Sequence, residues 1–313
     1  MIPSRQIVLE AGNRVAPFVH RTPVLSSRLL NELSGAEVFF KCENLQKMGA
    51  FKMRGAINAI QQLSEAQKKA GVVTHSSGNF GQALALAAKN LGVKAYIVMP
   101  SSAPSVKIEA VKTYGGVVTI SEPTLEAREK SAATIVEEKG AVFLHPSNDL
   151  NVILGQGTAA LELLQDQPDL EFIMTPVGGG GLIAGTALAA HYFGANCAVV
   201  GGEPMEVDDA YRALKSGKIE YNISSDTIAD GLKTNLGDKN FPIIIALVSD
   251  IIRVEEKEII DAMKLIWERM KLVIEPSSAV PFAALLKEKE KFRNKKIGII
   301  LSGGNVELSN LPF

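Results

Sequence analysis

The chain has little of what marks an exported, membrane-bound or nucleic-acid-binding protein. Only two of its 313 residues are cysteine, Cys42 and Cys197. Both stand in apolar, strand-like contexts and read as buried, reduced thiols of a cytoplasmic protein. Lysine and arginine (33) balance aspartate and glutamate (34) to a net charge of −1, with no basic patch of the kind that binds nucleic acid. No run approaches the roughly 18 apolar residues of a membrane helix, and Met1-Ile2-Pro3-Ser4-Arg5 lacks an apolar signal core. Neither insertion nor export is expected. Short-period repeats, low-complexity tracts and obvious linkers are also missing.

What is present is a chain 46% hydrophobic, enough for one large or two modest globular domains. Strand-like runs such as Val38-Phe39-Phe40, Tyr96-Ile97-Val98-Met99 and Val117-Val118-Thr119-Ile120 alternate with helical stretches such as Glu126 to Glu138 and Ile259 to Met270. That alternation predicts an α/β fold with mostly parallel strands.

Four segments carry chemistry. In Gly49-Ala50-Phe51-Lys52-Met53-Arg54-Gly55 a lysine follows an aromatic residue at the start of an amphipathic helix. A desolvated lysine amine can hold a carbonyl cofactor as a Schiff base, although most lysines that open a helix are solvated. In Thr175-Pro176-Val177-Gly178-Gly179-Gly180-Gly181-Leu182 an apolar strand runs through four glycines into a small-residue helix. Backbone N–H groups without intervening Cβ atoms, added to a helix N-terminus, suit a phosphate. Ser76-Ser77-Gly78-Asn79-Phe80-Gly81-Gln82 is a second strand-to-helix turn, whose Ser and Asn could equally be helix caps. Ile299-Ile300-Leu301-Ser302-Gly303-Gly304-Asn305 ends a buried strand in small polar residues. Ligands of open parallel sheets gather at the carboxyl ends of strands, where the last three segments lie.

Over essentially its whole length the sequence resembles the fold-type II pyridoxal phosphate enzymes, in the branch of serine racemases and catabolic serine/threonine dehydratases. The resemblance also runs through Lys41-Cys42-Glu43-Asn44, Gly155-Gln156-Gly157-Thr158, Thr227-Ile228-Ala229-Asp230-Gly231, Trp267 to Lys271 and Ile274-Glu275-Pro276. It implies a tryptophan synthase β-like fold with two open, twisted, mostly parallel sheets flanked by helices. Residues 1–70 and 149–313 would form a large cofactor-binding domain, and 71–148 a small mobile domain that closes over substrate. By the same resemblance Lys52 forms the Schiff base and Phe51 lies against the cofactor ring. Asn79 bonds the ring hydroxyl, Gly178, Gly179, Gly180, Gly181 and Leu182 form the phosphate cup, and Ser302 faces the pyridine nitrogen. A neutral hydroxyl there makes the ring a weaker electron sink than a carboxylate would, which favours prompt β-elimination over transamination.

Lys52 is then the base on one face of the substrate, and Ser77 the second acid/base on the other. Loss of the β-hydroxyl gives a 2-oxo acid and ammonia; return of the proton from Ser77 gives racemisation. Ser76, Ser77, Asn79, Phe80, Gln82, Arg128 and Thr234 are the expected substrate contacts, although Arg128 could equally sit on a solvated helix face. The family pattern has histidine where this chain has Phe80. An aromatic ring cannot bond a second carboxylate as imidazole does, which disfavours hydroxyaspartate-type substrates. Glu203, Asp209 and the carbonyl of Val207 resemble a site for Mg2+, with Ca2+ or Mn2+ as alternatives. Lys47, Gln82, Lys271 and Asn305 match parts of a pattern that binds ATP as an effector, and Arg28 departs from it. A homodimer is the family expectation. The chain ends soon after Asn305, from which we expect no downstream regulatory domain and hence a catabolic or racemase role. Two rivals remain. Gly179-x-Gly181-x-x-Ala184 with Glu203 ending the next strand fits an NAD-dependent dehydrogenase, which leaves Lys52, Ser77 and Ser302 without roles. A non-catalytic ligand sensor would require a damaged lysine or glycine loop, and both are intact.

Overall fold

The computed structural model describes residues 2–313. In chain order its strands are β1 (Val24–Leu25), β2 (Glu37–Cys42), β3 (Val72–His75), β4 (Ala95–Pro100), β5 (Val117–Ser121), β6 (Val142–Phe143), β7 (Phe172–Pro176), β8 (Ala198–Pro204), β9 (Val248–Val254) and β10 (Lys296–Leu301). Six of them form one sheet in the order β1-β2-β10-β7-β8-β9, and four form another in the order β5-β4-β3-β6. Among the described residues only the β1–β2 strand pair is antiparallel. All other pairs are parallel, as the alternation of strands and helices predicts.

Helices cover both faces of the larger sheet, which is why its central strands read as unbroken apolar runs rather than as alternation. Ile173, Val199, Ile251 and Ile300 face the helices Leu150–Asp166 and Gly181–Phe193. Their chain neighbours Met174, Val200, Ile252, Ile299 and Leu301 face Glu256–Met270 and Pro276–Lys287. The first two helices touch backbone to backbone. A Cβ on Gly157 would run into the carbonyl of Gly185, and one on Gly185 into the carbonyl of Ile153.

The smaller sheet carries the helices Asn79–Asn90, Ser105–Thr113 and Leu125–Lys139. Its apolar cluster, with Phe80, Leu84, Ile97 and Val111, continues into Met53, Ile57 and Ile60 of the helix Lys52–Gln61. That helix therefore packs against both halves of the molecule. The thiols depart from expectation at one position. Cys42 is buried in β2, but Cys197 precedes β8 and is only partly buried. Both are unpaired, and burial pushes each thiol up to about 12, so both stay protonated.

The topology gathers three strand ends. β3 runs into Ser76–Asn79, β7 into the glycine loop and β10 into Ser302–Asn305. An antiparallel bridge between Ala50 and Gly303, with the Phe51 N–H donating to Ser302 O at 3.0 Å, brings Lys52 to the same place.

Candidate active site

Lys52 is the first residue of its helix. Its Nζ donates to Pro146 O at 2.8 Å and lies 5.0 Å from the centroid of the Phe51 ring and 5.8 Å from that of Phe80. Burial lowers its pKa from 10.5 to about 8, against a smaller upward pull from the Glu275 carboxylate. About a tenth of the amine is thus uncharged at pH 7 and about half at pH 8, the form that imine formation and proton abstraction both require. Phe80 is 2% exposed, so it gives this side of the lysine an apolar wall anchored in the core of the smaller sheet.

The four glycines connect β7 to the helix Gly181–Phe193, with Gly180 at φ +76°. A Cβ on Gly178 would stand 2.7 Å from Leu232 Cα, and one on Gly180 2.6 Å from Leu236 Cδ2. On Gly179 it would strike Ser147 Oγ, and on Gly181 Gln156 Oε1. Asn240 Nδ2 ties the loop down, donating to Gly179 O at 2.8 Å and to Ser147 O at 3.1 Å. The hydroxyl of Ser147 is buried without a partner. A cradle closed to side chains, a donor hydroxyl lacking an acceptor and the first N–H groups of a helix together fit a phosphate. Leu182, 5% exposed, packs in the helix's first turn behind the loop.

Asn79 opens the helix Asn79–Asn90. Its Nδ2 donates to both Glu275 oxygens, at 3.0 and 3.1 Å, while its Oδ1 accepts from Asn305 Nδ2 at 2.8 Å. Burial raises Glu275 to about 6, and the hydrogen bond from Asn79 opposes the shift. The Ser302 hydroxyl, 2% exposed, lies 3.0 Å from Ser278 Oγ. Ser76 and Ser77 are half-buried in the turn before Asn79, and Ser76 Oγ accepts from Gly78 N. Thr234 is exposed, and its methyl reaches to 3.2 Å of a Cβ placed on Gly179. Gln82 is buried one turn into its helix. Arg128 is half-buried on the helix Leu125–Lys139, with its Nε on Thr124 O.

A second polar centre lies behind β8. Glu203 accepts from the N–H groups of Ala210 (3.0 Å) and Tyr211 (2.8 Å), and Asp209 Oδ2 from Leu236 N (2.9 Å). Asp209 Oδ1 is buried with no partner. Burial raises Asp209 to about 6, and burial together with the charge of Asp209 raises Glu203 well above the usual carboxylate range. Two neighbouring carboxylates that resist ionisation, one with an orphaned oxygen, suit a hard cation. Among the described residues no third acidic, His or Cys side chain joins them. Any further ligands would be water or carbonyls such as that of the fully buried Val207. The backbone bonds of Glu203 also leave it poorly disposed to reach a ribose beside the glycine loop, against the dehydrogenase reading. Of the nucleotide-pattern residues, Lys47 Nζ is bonded to Phe18 O and Lys271 Nζ to Glu268 O, both at 2.7 Å. Asn305 Nδ2 joins Met48 O to Asn79, and Arg28 is exposed and paired with Glu32.

Sequence reasoning assigned no role to Ser147, Gln156, Asn240 or Glu275. Gln156 and Glu275 stand in motifs that were visible; Ser147 and Asn240 have no local signal and are brought in by tertiary contact.

Comparison with known proteins agrees with this geometry. Residues 15–303 match the family described as pyridoxal-phosphate dependent enzyme. A serine racemase of Dictyostelium discoideum is 51% identical over 97% of this chain and 95% of that protein. Its crystal structure superposes with a TM-score of 0.93, covering 97% and 98% of the two chains. A beta-hydroxyaspartate dehydratase of Paracoccus denitrificans is 46% identical over 100% and 99%. A threonine deaminase from T.th. superposes with a TM-score of 0.93 at 40% identity over 98% and 100%. The match over residues 15–303, with 51% identity over 97% of the chain, makes this chain a member of the pyridoxal-phosphate dependent enzyme family.

Proposed function

We propose that this enzyme dehydrates L-serine and L-threonine to a 2-oxo acid and ammonia, with serine racemisation as a second outcome of the same first proton removal. The observation that carries the reading is the Lys52 amine, lowered to about 8 and hydrogen-bonded at the mouth that the glycine loop and Ser302 share. The chemistry that bound pyridoxal phosphate supplies is electron withdrawal from the amino-acid α-carbon, which acidifies its proton. Lys52 Nζ would hold the cofactor, be displaced from it by the substrate amine, and as the freed amine remove that proton from one face. The Ser77 hydroxyl would deliver a proton to the other face, and Asn79 Nδ2 would donate to the ring oxygen on giving up one of its two Glu275 oxygens. Ser302 would offer the ring nitrogen a neutral partner, in keeping with elimination. Phe51 and Phe80 give the half-buried amine two apolar neighbours.

Five finer assignments belong to this reading. Residues 71–148 act as a small domain closing on 1–70 and 149–313, across which Lys107 Nζ already lies 3.8 Å from Asp230. Mg2+ binds at Glu203, Asp209 and Val207, and ATP would act through the surface of Lys47, Gln82, Lys271 and Asn305. The enzyme works as a cytoplasmic homodimer, which light scattering would check. A dianionic substrate is the second reading, favoured by the identity to the Paracoccus dehydratase and opposed by the apolar Phe80.

The test is to incubate the enzyme with L-serine, pyridoxal phosphate and Mg2+ and to quantify pyruvate and D-serine together. Pyruvate in excess establishes the dehydratase; dominant D-serine makes racemisation the main activity. Neither product, or full turnover by Lys52→Ala, defeats the assignment.

A further inference from the structure

The segment between β6 and the helix Leu150–Asp166 carries the carbonyl that holds Lys52, and one side chain sets its shape. His145 Nδ1 accepts from two consecutive backbone N–H groups, Ser147 N at 3.1 Å and Asn148 N at 2.8 Å. Each N–H shares a planar trans peptide with the carbonyl before it, and the two point in opposite directions. Turning the Ser147 N–H toward the imidazole therefore turns Pro146 O away from it. That oxygen accepts from Lys52 Nζ at 2.8 Å and from Gln156 Nε2 at 3.1 Å. Turning the Asn148 N–H toward the imidazole likewise turns Ser147 O outward, to accept from the Asn240 Nδ2 that also holds Gly179 O.

We propose that His145 is a positioning residue: its Nδ1 locks two successive peptide planes, aiming Pro146 O at the Lys52 amine and Ser147 O at the clamp on the glycine loop. The inference rests on Lys52 being the reactive amine. Whenever that amine is free, its bond to Pro146 O fixes where the lone pair points, and a base must be aimed as well as neutral. The lock requires a particular ring state. As a double acceptor Nδ1 carries no proton, so the neutral ring bears its hydrogen on Nε2. The surroundings favour the neutral ring: burial, then His75 and Lys52, push His145 down to about 4 against an opposing pull from Asp238. His75 also meets the ring edge-on, with centroids 6.2 Å apart, and Phe143 lies at 6.3 Å.

The test compares His145→Ala with His145→Asn in the cofactor-loaded enzyme. Asparagine has an oxygen that can accept from the N–H two residues on, as in an Asx turn, whereas alanine has none. For His145→Ala we expect kcat on L-serine to fall about 10²-fold, the scale of an ångström-sized misplacement. We expect KM to stay within about threefold and His145→Asn to recover most of kcat, the split that marks loss of aim rather than of binding. Nitrogen-15 NMR of the histidines should show Nδ1 of His145 unprotonated at neutral pH; with four histidines in the chain, the resonance that His145→Asn removes identifies it. Unchanged kcat in the alanine variant, failure of asparagine to restore it, or a protonated Nδ1 would each overturn the proposal. If the alanine variant does not fold, the wild-type resonance and the asparagine variant decide. Active Lys52→Ala would overturn the proposal through its base, whereas a protonated Nδ1 beside inactive Lys52→Ala overturns it at His145 alone.

Discussion

At the residue scale the decisive quantity is the charge on Lys52. Only the neutral amine attacks a carbonyl, so uptake of pyridoxal phosphate by cofactor-free enzyme should accelerate as pH rises toward about 8 and level off above it. Burial is the main cause of the shift, and the negative Glu275 works against it. Glu275→Gln removes that opposing charge, so the rise should move to lower pH. Stopped-flow absorbance across pH 6 to 10 gives both curves, and a shift to higher pH would show that the Glu275 carboxylate does not pull the Lys52 pKa upward. Phe80 sets a second residue-scale prediction. A histidine there would offer a charge-assisted donor, a bond of about 1.5–3 kcal/mol, so Phe80→His should raise the rate on 3-hydroxyaspartate relative to serine by about tenfold or more. An unchanged ratio of kcat/KM values would remove Phe80 from the specificity argument. Lys52 stands out in the sequence only beside the glycine loop, Ser76–Asn79 and Ser302, because an aromatic-lysine pair at a helix start is by itself most often solvated. Glu275 had no such signal, because what it does depends on Asn79, 196 residues away.

At the scale of elements, the helix that presents Lys52 is held by ions rather than by apolar packing alone. Arg54 bonds both oxygens of Glu43, both oxygens of Glu162, Thr158 Oγ1 and His20 O. Lys41 completes the set by reaching Glu162 and Thr22 O, both at 2.7 Å. Arg54, Lys41 and Glu43 are fully buried. Two cations and two anions thus join β2, the turn after it and the helices Lys52–Gln61 and Leu150–Asp166. Removing one partner of such a cluster leaves a buried charge uncompensated, so Arg54→Ala should cost about 3–5 kcal/mol. Urea unfolding monitored by far-UV circular dichroism measures it; a loss below about 1 kcal/mol would mean that water or a rearrangement satisfies Glu43 and Glu162. The long parallel strands were legible here, since burial on both faces leaves unbroken apolar runs. β1 and β6, with two residues each, carry no periodicity to detect. Lys41 and Glu43 appeared only as part of a motif, because the arginine they serve lies in another element.

At the scale of the whole molecule, the carboxylates behind β8 are coupled to the glycine loop through Leu236. Glu203 lies one residue from the end of the strand, Asp209 begins the next helix and holds the Leu236 N–H, and the Leu236 side chain covers Gly180. The two acids were visible in the sequence, but their coupling to the loop was not, because it runs through residues that meet only in the folded chain. A cation there would compensate two charges that burial disfavours, and it would brace the cover of the phosphate cradle at the same time. Ligand that binds only the folded state at 100 times its dissociation constant adds about 2.7 kcal/mol to unfolding. Mg2+ should therefore raise the melting temperature of the cofactor-loaded enzyme and strengthen its retention of pyridoxal phosphate, and a chelator should reverse both. Glu203→Gln keeps an oxygen able to accept an N–H but lacks the charge, so this variant should lose the response to Mg2+ and to chelator alike. Scanning calorimetry with and without Mg2+ reads the first effect, and dialysis followed by cofactor absorbance reads the second. Stabilisation without tighter cofactor retention would leave a cation site uncoupled from the loop. A wild-type enzyme indifferent to Mg2+ would remove the cation from Glu203 and Asp209, and Glu203, raised well above the usual carboxylate range, would then be held protonated beside Asp209.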